Sequence, residues 1–175
     1  MITVSFTASA ASTSKTTSAT AIFVGDDGSI GHAKEALGNA ASYVSQSIAA
    51  AQFKGKKGET LALLNPHAHP SHILVIGLGK AAEVKNLTLE VAGAAALSAA
   101  LSAKVSHLDI AAVAPKAVKV DAATLAAYLA SGAKLRAYAF DKYKTKTKAE
   151  DKPKLKTVTI RTGVVEKAKK QYEPL

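Results

Sequence analysis

Three groups of residues in this chain are of types that bind or transform ligands. Val75-Ile76-Gly77-Leu78-Gly79-Lys80 ends an apolar run on two glycines and a lysine. Glycines after a buried strand let backbone N–H groups approach a phosphate, and Lys80 would add charge. Neither the dinucleotide fingerprint nor a P-loop is complete, because Ala81-Ala82 follow and the Lys-Ser/Thr pair is missing. Gly77, Gly79 and Lys80 therefore read first as a tight strand-exit turn, with no cofactor expected there. His67, His69 and His72 form the histidine cluster. Two histidines at i and i+2 can share a metal, but no Cys and no nearby carboxylate completes a coordination shell. Pro66 and Pro70 make the stretch a rigid turn between strands, so no metal is expected in it. Lys142, Lys144, Lys146 and Lys148, with Tyr143 and Thr145 between them, suit neutralisation of nucleic-acid phosphates. No recognition-helix pattern and few stacking aromatics accompany them, which favours a solvated loop over DNA contact.

Acid pairs are scarce. Asp26-Asp27 is flanked by Gly25 and Gly28, and Glu150-Asp151 sits among lysines, so both read as solvated turns. Metal-assisted hydrolysis needs several converging carboxylates and a group that polarises the carbonyl. The sequence offers no catalytic residue of that kind.

The elements that must position these groups follow from periodicity. Ile2–Phe6 and Ala21–Val24 read as strands, as do Thr60–Leu64, His72–Ile76, His107–Val113 and Leu155–Arg161. Residues 33–51 place Leu37, Ala40, Ala41, Val44, Ile48 and Ala51 on one helical face. Further helices are expected over Thr88–Ala103, with Thr88 as N-cap, and over Val164–Tyr172. The longest starts at the N-cap Asp121 and carries Leu125, Tyr128, Leu129, Gly132, Leu135 and Ala139 as one stripe, before Phe140 closes the apolar run. A glycine on the packed face of a helix costs about 1 kcal/mol against alanine and points to close approach of another backbone. Strands alternating with long helices predict a three-layer α/β/α domain with a mainly parallel or mixed sheet.

Composition limits the chemistry and the core. Of the 175 residues 48% are apolar but only 5% aromatic, so the core must come from Ala, Val, Leu and Ile. The absence of Cys excludes disulfides, thiolate catalysis and Cys-ligated zinc, and fits a cytoplasmic protein. No signal peptide is visible, and the Ala-rich run 91–103 is too short for a membrane span. The formal net charge is +10. Residues 142–156 hold seven Lys against Glu150 and Asp151, so half of that excess belongs to one loop.

Gly132-Ala-x-Leu135-Arg136-x-Tyr138-x-Phe140-Asp141-Lys142-Tyr143-Lys144-Thr145 resembles the end of the N-terminal domain of the leucyl (cytosol) aminopeptidases, the M17 metallopeptidase family. Phe53–Thr60 and Ile73–Lys80 agree in order with the same domain. The resemblance implies a macro-domain-like fold over 1–162, with 163–175 beginning a linker helix toward a C-terminal catalytic domain. It also implies a parent enzyme, a cytoplasmic hexamer, that releases N-terminal residues from peptides with two divalent ions, Zn or Mn. The family takes its metal ligands from an Asn-Thr-Asp-x-Glu-Gly-Arg stretch and neighbouring Lys and Asp residues in the C-terminal domain, and nothing in 1–175 matches that stretch. The expected role here is structural, in assembly or in shaping access, with the chain inactive alone. The alternative is a stand-alone macro-like module that binds a nucleotide or nucleic acid: macro domains bind ADP-ribose, and some bacterial members of the family bind DNA.

Overall fold

The computed structural model describes residues 2–8, 17–65, 69–143 and 154–175, with side chains left aside at 140–143. Six strands form one sheet in the order β1-β6-β5-β2-β4-β3. These are β1 (Thr3–Thr7), β2 (Ser18–Gly25), β3 (Thr60–Leu64), β4 (His72–Gly79), β5 (His107–Ala111) and β6 (Thr157–Arg161). All neighbours pair in parallel except β3, which runs antiparallel to β4. The short connection from Leu64 to His72 permits only a hairpin, whereas each parallel pair is reached through a longer crossover.

Helices cover both faces of the sheet. The short α1 (Lys34–Leu37) and α2 (Ala41–Ala50) pack Leu37, Val44 and Ile48 against Ile22, Val24, Ile73 and Val75. On the other face α3 (Asn86–Ser102), α4 (Ala122–Tyr143) and α5 (Val165–Tyr172) cover Phe23, Leu74, Ile76, Leu108 and Ile110. Every residue of β2 is buried, as expected for a central strand with helices on both sides. The three-layer α/β/α architecture and the mixed sheet expected from the sequence are both present. Among the described residues no helix is long and apolar enough to cross a membrane.

Four local expectations are corrected. The helix over 33–51 is broken: Gly38, at φ 54° and ψ −128°, interrupts it between α1 and α2. Thr88 is not the N-cap of α3. The helix starts at Asn86, and the Thr88 hydroxyl reaches back to the Lys85 N–H at 3.2 Å. β5 ends at Ala111 rather than Val113, and β4 continues through Gly79, which places both glycines inside the strand. The fourth correction concerns α4. Asp121 caps it as expected, accepting from the N–H groups of Ala123 and Thr124 at 3.0 and 3.2 Å. Leu135, however, is 56% exposed, and the inward face instead holds Leu125, Leu129 and the alanines 126, 130, 133 and 137. Large apolar residues weigh most in a periodicity argument, yet here small ones face the core.

The reason is the distance between α3 and α4. A Cβ on Gly93 would lie 2.1 Å from the Leu129 carbonyl oxygen, and one on Gly132 would lie 1.9 Å from that of Glu90. Both distances are impossible for a real side chain, so the two backbones touch at this crossing. Side chains lock it on either side: Ser131 Oγ donates to Glu90 Oε1 at 3.2 Å, and Arg136 Nε to Ser98 Oγ at 2.8 Å. Gly132→Ala is therefore expected to destabilise the fold by about 1–3 kcal/mol through overpacking. That sign opposes the gain of about 1 kcal/mol that the same change brings in an exposed helix. Urea denaturation checks it, and a more stable variant would refute the close crossing.

Candidate functional site

The glycines at the end of β4 are embedded in two other turns. A Cβ on Gly77 would meet the Lys56 carbonyl oxygen at 2.1 Å, and one on Gly55 would meet that of Gly25 at 2.0 Å. The Lys54–Glu59 turn is thus wedged against both β2 and β4. Gly77 N–H donates to Glu59 O at 2.8 Å and Gly79 N–H to Gly55 O at 2.9 Å. In return Gly58 N–H donates to Gly77 O and Asp26 N–H to Gly79 O, each at 3.1 Å. The Glu59 carboxylate accepts from the Lys56 and Lys54 amides at 3.0 and 3.4 Å, which holds the turn shut. The amides that a phosphate would need are therefore already donating to carbonyls. Lys80 is exposed and sits 3.8 Å from Glu83, a surface pair of small energetic weight.

Of the three histidines, His69 and His72 are among the described residues. His67 lies outside the described residues. The Ser71 hydroxyl donates to Ser18 O at 2.9 Å, so its 3.0 Å contact with His72 is a donation from Nδ1. That nitrogen then carries a proton, and the ring's lone pair lies on Nε2. His69 is exposed. Among the described residues no three His, Cys, Asp or Glu side chains are grouped to hold an ion. Asp27 Oδ1 accepts from Ser29 N–H at 3.0 Å within its turn. The side chains of Lys142, Lys144, Lys146 and Lys148, together with Glu150 and Asp151, lie outside what is described.

The densest polar chemistry lies where the sequence reading did not look. On the sheet face shared with α1 and α2, the β5–β6–β1 half carries His107, Asp109, Thr157, Thr159, Arg161 and Ser5. Asp109 is fully buried, and Arg161 Nη2 donates to its Oδ1 at 2.7 Å. His107 Nε2 lies 3.1 Å from the same oxygen, while its Nδ1 contacts Thr157 Oγ1. Two signals in the sequence could have found this cluster. Asp109 interrupts the apolar run Leu108–Ala112, and a carboxylate there requires a cation; Arg161 ends a strand whose alternate residues Thr157, Thr159 and Arg161 are polar. A cavity of about 220 Å³ opens beside it at the carboxyl ends of the strands, lined by Ala8, His32, Glu35, Ala111, Arg161 and Thr162. Open α/β sheets bind ligands at that end, but the volume falls short of the roughly 300–1,000 Å³ of small-molecule pockets. His32 is itself engaged, its Nε2 lying 2.6 Å from Phe23 O.

Comparison with known proteins places this geometry. The family model for the N-terminal domain of the cytosol aminopeptidase family matches residues 21–147. A probable cytosol aminopeptidase of Caulobacter vibrioides is 35% identical over 144 residues, 82% of this chain and 27% of that protein. The chain spans only 21–28% of the length of the curated relatives it matches. A tomato leucine aminopeptidase mutant superposes with a TM-score of 0.69 at 18% identity, over 98% of this chain and 35% of the other. The macrodomain of Mycobacterium tuberculosis DarG superposes at 0.57 and 10% identity, over 92% of this chain and 99% of its own. At such identities the two structures establish the fold, which is macro-domain-like.

Two outcomes test the site. Asp109→Asn neutralises the buried carboxylate that accepts from Arg161 Nη2 and is expected to cost about 3–5 kcal/mol, read by urea denaturation. Titration with ADP-ribose or ATP, followed through amide chemical shifts, is expected to leave Gly77–Ala82 unmoved. Saturable shifts there at micromolar ligand would mean that the Lys54–Glu59 turn opens to admit phosphate.

Proposed function

This chain belongs to the cytosol aminopeptidase family, as its N-terminal domain, and from that premise we propose that it is the non-catalytic part of a leucyl aminopeptidase. The observation that carries the proposal is the match over residues 21–147 by a chain that spans 27% of a 35%-identical relative. The remaining length of such a relative leaves room for a separate catalytic domain. In the parent enzyme that domain would hold two divalent ions, Zn or Mn, and activate water to release N-terminal residues from peptides. Among the described residues no three His, Asp or Glu side chains are grouped to hold those ions. No catalytic step is therefore assigned to this chain.

Its own role is structural: to pack on the catalytic domain, support a hexameric cytoplasmic assembly and shape access to the peptide site. The domain would comprise residues 1–162, with 163–175 starting the connection to the catalytic domain. α5, within that connection, already buries Ala168 and sets the Tyr172 ring 5.4 Å from Phe6. Lys142, in the last turn of α4, and Lys144, Lys146 and Lys148 after it in sequence are assigned to solvent and not to DNA contact. The stand-alone module is the weaker reading, because the Gly77 and Gly79 amides are already engaged.

Extending the reading frame past Leu175 tests the parent directly, since an Asn-Thr-Asp-x-Glu-Gly-Arg stretch should follow. The purified 175-residue chain is expected to show no turnover of leucine amide with Zn or Mn added. Activity that copurifies with the chain and vanishes with a chelator would overturn the non-catalytic assignment.

A further inference from the structure

β3 occupies one end of the strand order and has β4 as its sole strand neighbour. Asn65 N–H donates to Ser71 O at 2.7 Å, and Gly77 N–H to Glu59 O at 2.8 Å. The odd-numbered residues of this segment thus aim their backbone groups at β4. In an antiparallel ladder the direction alternates, so Thr60, Ala62 and Leu64 aim theirs outward. Among the described residues the group that reaches this edge is the Tyr43 hydroxyl, which donates to Leu64 O at 3.0 Å. A carbonyl oxygen has a second lone pair, so that contact leaves Leu64 able to accept again.

Proteins usually guard such an edge with charge, proline or a bulge. Thr60-Leu61-Ala62-Leu63-Leu64 contains no charged residue and no proline, and its register with β4 is continuous. Leu64 is 57% exposed. We propose that the outer edge of β3 pairs antiparallel with β3 of a second copy of this chain, centred on Ala62, to join the two sheets into one.

The choice of a second copy rests on symmetry. The outward residues 60, 62 and 64 are evenly placed about Ala62, so the same strand reversed by a two-fold axis supplies every missing donor and acceptor. In that register Ala62 meets its own copy, and Thr60 meets Leu64. On the opposite face Leu61 meets Leu63, and both leucines are only half-buried in one chain. Just outside the strand Glu59 falls opposite Asn65, so no like charges are brought together. The chain's +10 charge is not concentrated here. Half of it lies in residues 142–156, outside β3 and the residues that flank it in sequence. One short edge supplies about six backbone hydrogen bonds. It buries less than the roughly 1,000 Å² of a permanent interface, so the association is reversible.

Sedimentation velocity of the 175-residue chain over a rising concentration series tests this, independently of the role proposed above. Wild type should shift reversibly from monomer to dimer. Ala62→Lys and Ala62→Glu, at an exposed position, should keep the wild-type urea midpoint yet remain monomeric where wild type is dimeric. An equimolar mixture of the two variants should recover the dimer, because opposite charges then meet on the axis. Wild type that stays monomeric at every concentration would overturn the proposal. So would charge variants that dimerise like wild type, or a mixture with no more dimer than either variant alone.

Discussion

The constraint from which the rest of this structure follows is how closely its layers must approach. A core with few aromatic rings and many alanines fills space only when backbones come nearly into contact. Glycine is the residue that permits it, and the fold places glycines at the closest points. Gly93 and Gly132 let α3 and α4 cross with backbone against backbone, and Gly55 and Gly77 seat the Lys54–Glu59 turn on the ends of β2 and β4. Neither contact tolerates a β-carbon. Where α3 and α4 are this close, alanines 126, 130, 133 and 137 take the inward face of α4 alongside Leu125 and Leu129, and Leu135 is turned to solvent.

The same closeness decides what becomes of the glycine motif at the end of β4. Viewed alone, two glycines and a lysine after an apolar strand offer free amides to an anion. In the folded chain a neighbouring backbone fills the space and takes the hydrogen bonds. Polar chemistry collects instead on the β5–β6–β1 half of the sheet, where Asp109 is buried against Arg161 with His107 beside it. Burying a carboxylate this deeply is costly unless a cation is hydrogen-bonded to it, so the pair holds Arg161 of β6 on the same face of the sheet as Asp109 of β5. It also ties β6 to β5 within the sheet.

Two features of the sheet are consequences of order rather than composition. β2, β4, β5 and β6 have a strand on each side, while β1 and β3 end the sheet. β3, joined by a hairpin, is the antiparallel one. Its outward backbone groups face away from every described strand, and its residues carry no charge that would keep another strand away.

The sequence by itself determined the layered α/β class, four of the six strands to within about two residues at each end, the Asp121 cap, and the need for a close contact at Gly132. Each of these rests on local periodicity, cap chemistry or the cost of a glycine, and such terms act within a few residues of where they are read. The 21–147 family match agrees with the resemblance carried by Gly132–Thr145, Phe53–Thr60 and Ile73–Lys80. Only the tertiary structure decided the partner of Gly132, the occupation of the Gly77 and Gly79 amides, and the assembly of His107, Asp109 and Arg161. In each case the partners lie tens of residues apart and meet because strand order puts β6 beside β5 and the Lys54–Glu59 turn beside β4. No local spacing encodes that adjacency. It comes from the hydrogen-bond register of the whole sheet.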